Sequence, residues 1–182
     1  APDHEYNKLY GLPAEDNIEG SLRIKLLNVP MEYLSSAAIA QLKDGEAVWF
    51  GNDVLRQMDR KTGYLDTNLY KLDDLFGVDL KMSKADRLRT GVGEVSHAMT
   101  LVGVDEDNGE IRQWKVENSW GEKPGFKGYF VMSDKWFDSF VYQAVINKKF
   151  LPDDLKKAYD EGVKDPIQLL PWDPMGALAF DF

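Results

Sequence analysis

The chain has 182 residues, 43% of them hydrophobic and 12% aromatic, enough apolar material for one domain with a real core or one lobe of a larger protein. Its 31 acidic and 22 basic side chains give a net charge of -9, which argues against nonspecific nucleic-acid binding, where Lys and Arg neutralise phosphates. There is no cysteine, so disulfides and thiolate zinc sites are excluded, and two histidines, His4 and His97, argue against a His-rich metal site. No cofactor is expected, and no apolar run approaches the roughly 20 residues that span a bilayer.

In chain order, residues 1–21 carry Pro and Gly punctuation without periodicity and read as a loop or irregular strand. They lack an initiator Met and a signal-peptide pattern, so the chain is read as a piece of a longer or processed polypeptide, with the cytoplasm as its default compartment. A short strand is expected within 22–30 and a helix over 31–45, where Leu34, Ala37, Ala38, Ile39 and Leu42 fall near helical spacing and Gly45 suits the stop. "AVWFG" (47–51) reads as an apolar strand followed by a turn. Residues 52–90 read as irregular, with a short helix near "LYKLDDLFG" and a loop around "MSKADR".

Strands are expected at 96–104, 111–118 and 128–133, and a fourth at 138–147 from its alternation. A helix over 152–164 opens with Pro and acids and closes with Lys, the order its dipole favours. The ending "LLPWDPMGALAFDF" has no helix or strand period. One helix followed by a strand cluster, without alternating helices, points to an α+β lobe rather than a doubly wound sheet.

The stretch "VSHAMTLVGVDEDNGEIRQWKVENSWG" (95–121) carries the chemistry. Asn108-Gly109 is a strong hairpin signal. A two-residue turn there makes Asp107 oppose Glu110 and Asn118 oppose Met99, one diagonal step from His97 on the same face. A four-residue loop puts Asn118 directly opposite His97. Either keeps the two within reach, whereas an odd loop or a bulge in one strand breaks the arrangement. Alternation groups Arg112, Trp114, Val116 and Asn118 on one face. Both faces of 97–104 are apolar, which predicts burial on both sides.

An Asn oxygen can hold one imidazole nitrogen so that the other faces a reacting group, an arrangement suited to activating a thiolate. Trp120 could cover that hydrogen bond. Residues alone leave two readings open: an orienting pair, or a structural histidine beside a turn-capping asparagine.

"SHAMTLVGVD" followed by "WKVENSWG" resembles the His and Asn motifs of papain-like cysteine peptidases. "KLLNVPMEYLSSAAIAQLKDGEAVWFGNDV", "MSKADR" and "PWDPMGALA" are similar to the bleomycin hydrolase and aminopeptidase C branch, from about residue 22 to about 179. The resemblance implies the C-terminal, antiparallel strand-rich lobe of that fold with flanking helices. Residues 1–150 would form the His/Asn wall of the cleft, and 151–182 a helix and a C-terminal arm reaching the cleft. It implies His97 as catalytic base and acid, Asn118 as its orienting partner and Trp120 as supporting indole.

The nucleophilic cysteine and the oxyanion-hole glutamine have no match here. Gln41 lies outside any matching motif, and Ser96 and Ser119 are expected to face away from His97 and Asn118. The implied activity is that of an intracellular thiol-dependent aminopeptidase, with this chain inactive alone. The implied partners are peptide substrates, an N-terminal cysteine-bearing segment, and other copies in a homo-oligomer, a hexamer by resemblance. In the arm, Ala177, Leu178, Ala179 and the terminal Phe182 are the implied substrate-positioning residues. The family pattern stops at "MGALA", and the additional Phe180, Asp181 and Phe182 would carry the terminal carboxylate roughly 10 Å further. An endopeptidase relative and an inactive peptide-binding or assembly module are the alternative readings.

Overall fold

A computed structural model describes residues 3–176. Strand β1 (Lys8–Gly11) pairs antiparallel with β2 (Lys25–Asn28). Helix α1 (Met31–Lys43) follows, then β3 (Val48–Asn52) and a tight pair, β4 (Met58–Asp59) and β5 (Tyr64–Leu65). Two short helices, α2 (Leu72–Phe76) and α3 (Lys84–Arg89), precede the long β6 (His97–Asp107), β7 (Glu110–Glu117) and β8 (Tyr129–Ser133). The chain continues through α4 (Asp134–Phe140), β9 (Val141–Ala144), α5 (Asp153–Gly162) and β10 (Ile167–Gln168). Among the described residues, no helix is long and apolar enough to cross a membrane.

The strands form two sheets. Seven run in the order β4-β5-β8-β7-β6-β3-β9, antiparallel except for β5 beside β8. Three more run β10-β1-β2, with β10 parallel to β1. The architecture is the α+β, papain-like lobe that the sequence implied, refined by these two parallel pairs.

The core lies on one face of the large sheet. Trp114, Phe50, Phe130, Met132, Leu101, Val48 and Val116 are buried there against Trp136 and Phe137 of α4 and Ala38 of α1. Each such side chain removed from water contributes about 1.5–3 kcal/mol. The two indoles also satisfy their N–H groups: Trp114 donates to the Asp134 carboxylate (3.0 Å) and Trp136 to the Arg56 carbonyl (2.7 Å). Buried Gln41 ties α1 to the sheet. Its Nε2 donates to the Ala47 carbonyl, and its oxygen accepts from the Asn147 N–H at 2.8 Å. That is a structural clamp, fully engaged away from His97.

Three expectations change. The segment read as a loop around "MSKADR" is helix α3, capped by Ser83, whose hydroxyl accepts from the Asp86 N–H and donates to the Asp86 carboxylate. The strand expected over 138–147 shrinks to Val141–Ala144. Its first residues belong to α4, where Ser133 is the N-cap and Trp136, Phe137 and Phe140 bury one helical side. The second face of β6 is only half-buried at Ala98, Thr100 and Val102, while Met99 and Leu101 are fully covered.

Residues 151–176 return to the start of the chain. Leu155 of α5 is buried, a Cβ at Gly162 would meet the Leu9 side chain at 2.7 Å, and β10 pairs with β1.

Candidate active site on the β6–β7 hairpin

The hairpin is closed by the two-residue turn. Asn108 (φ 52°) and Gly109 (φ 83°) both adopt positive φ, as a type I′ turn requires, and Asp107 pairs with Glu110. The ladder then departs from simple alternation twice. Between Asp105 and Glu106 the partner strand carries one extra residue, Arg112. Between Leu101 and Gly103, β6 carries its own, Val102. One extra residue on each strand cancels, so Thr100 pairs with Glu117 and the next register step sets Met99 against Asn118. Arg112 is accordingly exposed and pairs with Asp107 instead of joining the buried face of Trp114 and Val116.

The result brings His97 and Asn118 together: His97 Nε2 lies 2.9 Å from Asn118 Oδ1. The same oxygen accepts from the Ser119 backbone N–H at 2.8 Å. A backbone N–H can only donate, so the shared atom is the amide oxygen and His97 Nε2 must carry the proton. Nδ1 is then the nitrogen outside this bond, with its lone pair available when the ring is neutral. Asn118 is 9% exposed, and its backbone N–H donates to the Gly128 carbonyl at 3.1 Å.

Trp120 stacks on the imidazole, with ring centroids 4.9 Å apart and planes 27° apart, and meets Phe130 edge-on. The guanidinium of Arg60 lies 4.7 Å from the indole centroid. Ser119 is exposed and contributes its N–H to the Asn118 oxygen; Ser96 donates its N–H to the Asn52 carbonyl.

One neighbour escaped the sequence reading. The strand expected at 47–51 runs one residue further, so Asn52, expected in the turn that follows, ends β3 and pairs directly with His97. It is wholly buried, and neither polar atom of its amide has a hydrogen-bond partner among the described residues. Only the β3–β6 register brings Asn52 beside the imidazole; nothing in its local sequence does. Next to it, Asp53 is buried against Arg56 Nε (3.2 Å); burial pushes its carboxyl up, partly offset by that guanidinium. The implied arm residues Ala177, Leu178, Ala179 and Phe182 lie outside the described residues.

A profile of the Peptidase C1-like family matches residues 1–176. Aminopeptidase E of Lactobacillus helveticus is 77% identical over 176 residues, covering 96% of this chain and 39% of that protein. Human bleomycin hydrolase is 44% identical over 182 residues, covering 98% of this chain and 39% of its own length. A crystal structure of PepW from Lactobacillus rhamnosis HN001 superposes with a TM-score of 0.93 at 51% identity, over 96% of this chain and 39% of that one. The chain thus spans about two fifths of the length of the relatives it matches, several of them named aminopeptidases. The motif resemblance and the fold lead to one assignment: this chain belongs to the Peptidase C1-like family.

Proposed function

We propose that this chain supplies the His–Asn wall of a thiol-dependent aminopeptidase acting on peptides, with the nucleophilic cysteine carried by a segment outside these 182 residues. The observation that carries this reading is the 2.9 Å contact between His97 and Asn118, with the proton on Nε2 and Nδ1 left for the reaction. In this scheme Nδ1 takes the thiol proton, the thiolate attacks the scissile carbonyl, and the imidazolium returns the proton to the leaving amine. Asn118 orients the ring without adding charge, and Trp120 keeps water from the hydrogen bond. Water then hydrolyses the thioester with His97 as base.

The proposal extends to a cytoplasmic homo-oligomer and to an arm in which Ala177, Leu178, Ala179 and Phe182 position the substrate. A fixed carboxylate there would reward a substrate ammonium at a set distance from the scissile bond.

The test compares aminoacyl arylamide hydrolysis by the cysteine-bearing enzyme that contains this chain with hydrolysis by the 182-residue chain alone. The expected result is activity in the former, abolished by thiol alkylation and by His97→Ala, and none in the latter. Thiol-independent turnover by the 182-residue chain would overturn the reading. Deleting 177–182 from the complete enzyme should shift it from exopeptidase towards endopeptidase action; an unchanged preference refutes the arm's role.

A further inference from the structure

Beside the imidazole, an otherwise acidic chain presents a rim of positive charge. The turn between β4 and β5 carries Arg60 and Lys61, and the loop after Trp120 carries Lys123 and Lys127, all exposed. The two segments are bound together. Gly125 donates its N–H to the Arg60 carbonyl at 3.1 Å, and it sits so close to Gly63 that a Cβ on Gly63 would lie 2.7 Å from its Cα. None of the four cations has an ion pair among the described residues. Of the nearby acids, Asp59 is occupied inside its own turn by the N–H groups of Lys61 and Thr62 and by the Thr62 hydroxyl.

Arg60 stands apart from the other three because it touches the site. Its guanidinium packs on the indole that stacks on His97, so it lies within two ring spacings of the imidazole. Contact with an aromatic face restrains an arginine without neutralising it, which leaves its fork of donors free.

We propose that Arg60 is a specificity-determining residue that binds the free C-terminal carboxylate of short peptides, making di- and tripeptides the favoured substrates. The inference rests on the peptidase reading above. An imidazole that returns a proton to the leaving amine must have the leaving part of the substrate running past it. An extended chain advances roughly 3.4 Å per residue, so a carboxylate one or two residues beyond the scissile amide falls within reach of this guanidinium. Arginine meets a carboxylate with two parallel hydrogen bonds, which adds orientation to attraction.

The test measures kcat/KM in the cysteine-bearing enzyme for a dipeptide, the same dipeptide as its C-terminal amide, and an aminoacyl arylamide. The wild-type enzyme should favour the free carboxylate over the amide by roughly tenfold, the scale of one charge-assisted hydrogen bond at a partly exposed site, expressed in KM and weakened by salt. Arg60→Gln should reduce turnover of the free-carboxylate dipeptide roughly tenfold more than that of the arylamide, and Arg60→Lys should keep part of the preference. Equal treatment of carboxylate and amide by the wild-type enzyme would overturn the inference. So would equal losses on all three substrates in Arg60→Gln, which would make Arg60 only a cover for Trp120. Absence of arylamide turnover in the wild-type enzyme would instead remove the peptidase reading, and this inference with it.

Discussion

Asn118 Oδ1 meets His97 Nε2 at 2.9 Å although the ladder between the Asn108-Gly109 turn and these residues slips twice. The contact survives because Val102 and Arg112 are extra residues on opposite strands. Either bulge alone would turn one partner to the other face, since side chains alternate with a period of two.

The compensation can be tested by deletion. Removing Arg112 or Val102 singly should destabilise the chain by several kcal/mol, because it forces the Trp114–Val116 or Met99–Leu101 set out of the core. Removing both restores a common register, so the double deletion should be more stable than the sum of the singles by about 1–3 kcal/mol. Urea titrations of the three variants provide the measurement. Strict additivity would show that the bulges are independent.

Asn118→Ala removes the acceptor that holds the His97 Nε2 proton. In the cysteine-bearing enzyme, kcat should fall by about 10²-fold or more with little change in KM, since the ring loses its orientation and not its substrate. Steady-state kinetics on an aminoacyl arylamide read this out. A fall confined to KM would place Asn118 in substrate binding instead.

Asn52 buries an amide without a hydrogen-bond partner among the described residues, an arrangement that costs about 1–3 kcal/mol. Asn52→Leu, which keeps the branching and heavy-atom count of the side chain, should therefore raise the thermal midpoint of the chain. In the cysteine-bearing enzyme the same change should lower kcat, because the replaced amide is the cross-strand neighbour of His97. Calorimetry and kinetics on the one variant separate the two effects, and a lower midpoint would show that the amide is satisfied in solution.

Lys84 gives a pH signature unrelated to the site. Its ammonium is buried beneath Met31, Tyr142 and the carbonyls of Asp138 and Val141, and burial pushes its pKa down to about 8 from 10.5. Between those two values the unfolded chain holds a proton that the folded chain has released. Raising the pH through that window therefore stabilises the fold, at most about 1.4 kcal/mol per pH unit from this group, and the gain is lost as pH falls towards 8. Urea unfolding of the wild type and of Lys84→Met at pH 7.5, 9 and 10 should diverge in that sense. Parallel curves would show that the amine keeps its ordinary pKa.

Local chemistry in the sequence already determined much of this protein. The Asn-Gly pair demanded a positive-φ turn, the spacing around Ala37 and Leu42 a helix, and the runs at 96–104 and 128–133 strands; each is present, with shifted ends. The pairing of His97 with Asn118 was legible from turn length and a period of two, and it holds because the two bulges that the sequence did not announce cancel. The helix at 84–89 is signalled locally only by its Ser-x-x-Asp cap, and the alternation at 138–147 does not distinguish a strand from α4, because Trp136, Phe137 and Phe140 satisfy a helix face equally well. Tertiary structure alone decided the rest. Cancelling bulges, the Asn52–His97 register and the approach of Arg60 to Trp120 each depend on how separate strands pair. Those pairings are settled by which faces the whole sheet can bury, and no short stretch of sequence contains that information.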